Sequence, residues 1–159
     1  MLTGSVALAV YATPRLTRDV DVVIACGPSN AGSLVAAFEA DSYVSAEAVA
    51  EALSSRGMFN IIHHAWVIKA DFIVRKDDAY RLAEFERRRT VDLGGFTASF
   101  VAPEDLILSK LVWARTTGSE VQRRDVRELL AAVPDLDWDY LRAWAPRLGV
   151  WGELEHERR

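Results

Sequence analysis

Residues 17–25 most narrow what this chain can fold into: Asp19, Asp21 and Val23 alternate with Val20, Val22 and Ile24 in a run rich in β-branched side chains. Alternation with a period of two reads as a strand, and a strand sends successive side chains to opposite faces. Asp19 and Asp21 must therefore point the same way, with Val20 and Val22 on the other side. One face wants an apolar core, while the other holds two like charges close together. Adjacent carboxylates resist joint ionisation unless something positive lies between them, and a divalent cation is the simplest partner of that kind. Magnesium prefers a few carboxylates together with phosphate oxygens and water, so an Asp-x-Asp strand and a triphosphate suit the same ion.

Around this strand the punctuation is regular. Thr3-Gly4-Ser5 opens an apolar, alanine-rich helix that runs through Tyr11 and that Pro14 bars from continuing. Gly27-Pro28-Ser29-Asn30 is a turn. Helices are expected over 31–40 and, with Ser45 as N-cap, over 45–54, with Gly57 as a stop. Residues 59–65 and 66–74 are two β-rich runs in a bent or hairpin pair. Asp77-Asp78 opens a charged helix to about Arg88; strands at 90–93 and 96–101 then meet at Gly94-Gly95. Pro103 sits where a first helical turn accepts proline, and helices follow over 103–115, 120–132 and 138–148. This order suits a single α+β domain over residues 1–159, a sheet core to about residue 101 with a helical C-terminal subregion packed beside it.

Composition excludes several classes of function. The longest apolar stretches, 6–11 and 20–26, fall far short of the roughly 20 residues of a membrane span. Residues 1–10 lack the basic lead-in and cleavage site of a secretory signal. The single cysteine, Cys26, rules out an internal disulfide and a thiolate zinc site. Together these point to a soluble, cytoplasmic protein without a membrane partner. A net charge of −4 argues against non-specific coating of nucleic acid. The arginine clusters at 87–89 and at 123, 124 and 127 read as solvated helix faces paired with neighbouring acids.

Upstream of the acidic strand, Gly4-Ser5 opens a helix whose first N–H groups lack internal partners and whose dipole favours an anion. Glycine permits close backbone approach, and the serine hydroxyl adds a donor, so a phosphate fits there. Arg15 and Arg18 flank the strand as candidate phosphate ligands; Arg18 is the weaker, because the period of two places it opposite Asp19 and Asp21. His63 and His64 are adjacent on a strand, point to opposite faces and read as structural. Trp113, Trp138, Trp144 and Trp151 read as core or interface anchors rather than as a base-stacking platform.

Gly4-Ser5, thirteen residues, and then Asp19-Val20-Asp21 resembles the signature of the DNA polymerase β-like nucleotidyltransferases, in which Gly-Ser or Gly-Gly precedes Asp-x-Asp or Asp-x-Glu. The phrases Thr3-Gly4-Ser5-Val6-Ala7-Leu8 and Pro14-Arg15-Leu16-Thr17-Arg18-Asp19-Val20-Asp21 are similar to those of small bacterial members, the abortive-infection type nucleotidyltransferase toxins and their relatives. A looser match extends through Asp71 into Pro103-Glu104-Asp105-Leu106-Ile107-Leu108-Ser109-Lys110-Leu111 and Arg124-Asp125-Val126. The resemblance implies a nucleotidyltransferase fold, a mixed sheet flanked by helices. It also implies transfer of a nucleoside monophosphate from a nucleoside triphosphate to a hydroxyl acceptor, which RNA, a protein or a small molecule would supply.

By the same resemblance a third carboxylate comes from a neighbouring strand to complete the metal site and take the acceptor's proton. Asp71 is the candidate; the alternative is that it pairs with Lys69, two residues away on the same face. Two magnesium ions are expected with the triphosphate. Gly4, Ser5 and Lys110 would orient its phosphates, and Asp125 would lie nearby. Lys110 has the alternative of snorkelling from a half-buried helix, and Asp125 that of a surface ion pair with Arg124 or Arg127. A toxin role would add a cognate antitoxin as partner, and a catalytically inactive nucleotide- or partner-binding protein is the other class of function. Relatives usually carry a helix before the Gly-Ser turn, so either the chain begins late or this buttress is lacking.

Overall fold

Strand pairing brings the acidic segment to the centre of a mixed sheet. The computed structural model describes residues 1–15 and 17–159, so Leu16 of the Pro14-to-Asp21 phrase lies outside the described residues. The elements are β1 (Leu2–Thr3), α1 (Gly4–Tyr11), β2 (Asp19–Ile24), a 3-10 turn (Pro28–Asn30), α2 (Ala31–Phe38), β3 (Ser42–Val44), α3 (Ala46–Ser55), β4 (Met58–His63) and β5 (Lys69–Val74). There follow α4 (Ala79–Glu86), β6 (Arg89–Asp92), β7 (Thr97–Phe100), α5 (Pro103–Thr117), α6 (Glu120–Ala132), α7 (Trp138–Trp144) and α8 (Trp151–Glu157). Among the described residues seven strands form one sheet in the order β3-β4-β5-β2-β1-β7-β6. β2 pairs parallel with β5 and antiparallel with β1, and β1 pairs parallel with β7. The α+β architecture and the mixed sheet are as expected.

Local chemistry explains most boundaries. The Ser45 hydroxyl accepts from the Ala48 N–H at 3.2 Å and caps α3. Asp78 does the same for α4, accepting from Arg81 N–H at 3.0 Å. Pro103 occupies the first turn of α5, and Gly118 ends that helix at φ +70°, two residues later than expected. The stop after α3 is Arg56, at φ 53°, rather than Gly57. α7 ends at Trp144, short of the expected 148, where Pro146 has no N–H to extend the helical ladder.

Two apolar cores hold the sheet. On one face α2 and α3 cover β2, β4 and β5, with Phe59 stacked on Phe72 at 5.1 Å and Val22 and Ile24 pointing in. The other core joins α1 and the end of β7 to α5–α8 through Leu8, Phe100, Leu106, Leu111, Leu129 and Leu154. Truncating any of these fully buried leucines would cost about 2–5 kcal/mol. Between the α5–α8 core and the exposed face of β2 and β5 a cleft of about 640 Å³ remains. Among the described residues no helix is long and apolar enough to cross a membrane.

Candidate active site

The register of β2 against β5 builds the site. Asp21 lies opposite Asp71 and Asp19 opposite Lys69, so alternation carries all four side chains to the cleft face. On the other side of β2, Thr3 pairs with Asp21, which sets the mouth of α1 beside the same row. Gly4 takes φ +63°, and a Cβ built on it would fall 1.9 Å from Asp21 Oδ2. Only glycine lets the Asp21 carboxylate lie this close to the opening turn. Among the described residues no side chain caps α1, so its first N–H groups are open to an anion, and Ser5 lines the cleft beside them.

The acids influence one another. Burial pushes the Asp21 carboxyl above its ordinary range, and the charges of Asp71 and Asp19 push it further the same way. The positive partner that two such acids require is present as Lys69: its ammonium is 2.9 Å from Asp71 Oδ2 and 3.8 Å from Asp19 Oδ1. Its hydrogen bond to Asp71 raises the Lys69 pKa. Asp71 thus makes the lysine pair weighed for it and also faces the cleft beside Asp21.

Among the described residues no group of three or more His, Cys, Asp or Glu side chains is arranged to hold a metal ion. Asp21 and Asp71, side by side on β2 and β5, are the carboxylates that a magnesium ion delivered on a triphosphate would meet, with phosphate and water to complete its shell. The Lys69 ammonium would have to swing away from Asp71 for the ion to enter. Its own side chain is 38% exposed on a flexible four-carbon stem, whereas Asp71 is 14% exposed.

A second cluster walls the cleft from α5 and α6. Lys110, 4% exposed, donates to Asp125 Oδ2 at 2.7 Å and to Gln122 Oε1 at 3.0 Å, and Arg15 Nε lies 3.4 Å from the same Asp125 oxygen. Burial lowers the Lys110 pKa, against the opposing pull of Asp125. An ammonium has three N–H donors, so one remains for the cleft. Asp125 is 2% exposed and makes neither of the surface pairs weighed for it: Arg124 pairs with Glu128 and Arg127 with Glu157. Asp125 holds Lys110 and Arg15 in place at the cleft. Lys110 is buried and paired rather than snorkelling.

Other expectations sort cleanly. Arg15 lines the cleft, whereas Arg18 is exposed outside it. His63 stacks on Trp66 at 4.4 Å, and neither His63 nor His64 reaches the cleft. Arg87 is held by Glu104 and Asp105 at 3.0 and 3.3 Å, a paired structural role. Three features escaped the sequence. Lys69, expected as a partner of Asp71, also reaches Asp19. Arg75 also lines the cleft, on the face that the alternation of β5 continues through Ile73. Trp113, read as a core or interface anchor, is instead 58% exposed in the cleft wall. The signal for it was its position three residues after Lys110, on the same helix face.

No family model matches the chain, and no curated protein matches it. Among solved structures it is similar to an antigenic nucleotidyltransferase-like protein from Paracoccidioides brasiliensis, with a TM-score of 0.53 and 16% identity over 99% of this chain and 82% of that one. The chain therefore has a nucleotidyltransferase-like fold.

Proposed function

We propose that the protein is a metal-dependent nucleotidyltransferase that moves a nucleoside monophosphate from a nucleoside triphosphate to a hydroxyl acceptor. The observation that carries this reading is the row Thr3–Asp21–Asp71, two carboxylates side by side on parallel strands against the glycine-opened mouth of α1, with Asp19 on the same face. The acceptor oxygen attacks the α-phosphorus, the bond to the bridging oxygen of the β-phosphate breaks, and pyrophosphate leaves. Asp71 takes the acceptor's proton. The open N–H groups of α1, the Ser5 hydroxyl, Arg15 and Lys110 bind and orient the phosphates. Asp19, Asp21 and Asp71 would hold magnesium, which when bound supplies charge neutralisation and in-line alignment.

Converting both Asp19 and Asp21 to Asn should abolish transfer of a labelled nucleotide to cell-extract acceptors while leaving the circular dichroism spectrum and melting curve near wild type. Undiminished labelling by that variant refutes the reading. A second reading, nucleotide binding without transfer, draws on one observation: the Lys69 ammonium stands between Asp71 and Asp19. It predicts calorimetric binding of the magnesium–nucleotide complex with no labelled product. The finer assignment to abortive-infection type toxins, with a cognate antitoxin as partner, draws support from the Pro103-to-Leu111 and Arg124-Asp125-Val126 phrases. Growth arrest on expression, lost in the Asp-to-Asn variant, would support it.

A further inference from the structure

The tryptophans of this chain divide by environment. Trp138, Trp144 and Trp151 pack onto the helical core, and Trp66 stacks on His63. Trp113 does neither: it lines the cleft and is 58% exposed. None of the aromatic and cation–π pairs among the described residues involves it. Its helix is otherwise sorted by burial, with Leu106, Ile107, Leu108, Leu111 and Ala114 at 1% exposure or less. A single exposed apolar ring needs no explanation by itself; the place of this one, in the wall of the cleft that holds Asp21, Asp71 and Lys110, is what makes it informative.

Its position names the ligand. Trp113 follows Lys110 by three residues, on the same face and about 4.5 Å further along the axis. Lys110 belongs to the charged end of the cleft, within electrostatic reach of both Asp21 and Arg15. Along this wall of the cleft an ionic group, Lys110, is thus followed by an aromatic one, Trp113, within one helical turn. A nucleotide has the matching order, a polyanion at one end and a flat π-system at the other.

We propose that the Trp113 indole stacks on the base of the bound nucleoside triphosphate, so that the cleft selects nucleotides over bare polyphosphates. The inference rests on the nucleotide reading of the same cleft. Trp113 is a specificity residue rather than a catalytic one: it touches the base and leaves the phosphates to Lys110 and the mouth of α1.

The test is calorimetry on the full chain with magnesium present, comparing ATP with inorganic tripolyphosphate for wild type, Trp113→Ala and Trp113→Phe. Wild type should prefer ATP by about tenfold or more, the strength of one base–aromatic stack. Trp113→Ala should lose most of that preference, Trp113→Phe should keep most of it, and tripolyphosphate should bind all three equally. ATP should also quench tryptophan fluorescence in wild type and not in Trp113→Phe. Retention of the full preference by Trp113→Ala overturns the inference. Equal binding of both ligands by wild type also overturns it, while leaving the polyphosphate site standing. If wild type binds neither, the nucleotide reading fails and the stacking falls with it.

Discussion

Replacing Gly4 with alanine tests the coupling between the turn and the acidic row. The backbone there sits at φ +63°, which costs a residue with a Cβ about 1–2 kcal/mol. The new methyl would also stand 1.9 Å from Asp21 Oδ2 and 2.8 Å from its Cγ, well inside contact distance. Asp21 is short and half-buried, so it must rotate off the mouth of α1 or push that turn away. The two effects together should destabilise the fold by about 1–3 kcal/mol, which for a chain of this size lowers Tm by roughly 2–4 °C per kcal/mol. The functional loss should be larger, about 10–100-fold in affinity for the magnesium–nucleotide complex, because a displaced carboxylate no longer meets the ion. Urea denaturation and calorimetry on the same preparation separate the two. Gly27→Ala is the control, since a Cβ there meets nothing within 4 Å. Wild-type affinity in Gly4→Ala would refute the argument that the Asp21 carboxylate works from against this turn.

Lys110→Met should destabilise by about 3–5 kcal/mol in urea denaturation, because it leaves the Asp125 carboxylate buried with only the longer Arg15 contact. Removing Asp125 as well should recover much of that loss, and a double-mutant cycle with no coupling would refute the pairing. Asp105, fully buried, accepts from Tyr140 at 2.7 Å and Arg87 at 3.3 Å, and burial raises its pKa from 3.8 to about 6. A carboxyl raised on folding favours the native state while protonated, so its contribution falls as pH rises from about 4 to 6, by about 3 kcal/mol in all. Asn has no such dependence. The stability of wild type relative to Asp105→Asn should therefore decline across that window, and a constant difference in urea midpoints at pH 4 and 7 would refute the assignment.

Much of the fold was legible because its signals are local. Ser45, Asp78, Pro103 and Gly118 act within one turn of their own helices, and Gly94-Gly95 joins β6 to β7 as a tight hairpin requires. Three elements were not foreseen. β1 and β3, of two and three residues, are too short to display a period, and α8, of seven, is below the length at which a helix stands alone. α8 is held from outside, by Leu154 in the core and by Arg123 and Arg127 on Glu157.

By itself the sequence determined that Asp19 and Asp21 share a face, since a strand's period of two needs no partner. It likewise determined that the chain rises from Gly4 into a helix. Only the tertiary structure decided what stands next to these residues. The parallel register of β2 with β5 sets Asp71 beside Asp21 and Lys69 beside Asp19, and the packing of α6 on α5 buries Asp125 against Lys110. Register and packing depend on surfaces far apart in the chain, and a one-residue slip of β5 would have turned Lys69 and Asp71 into the apolar core instead.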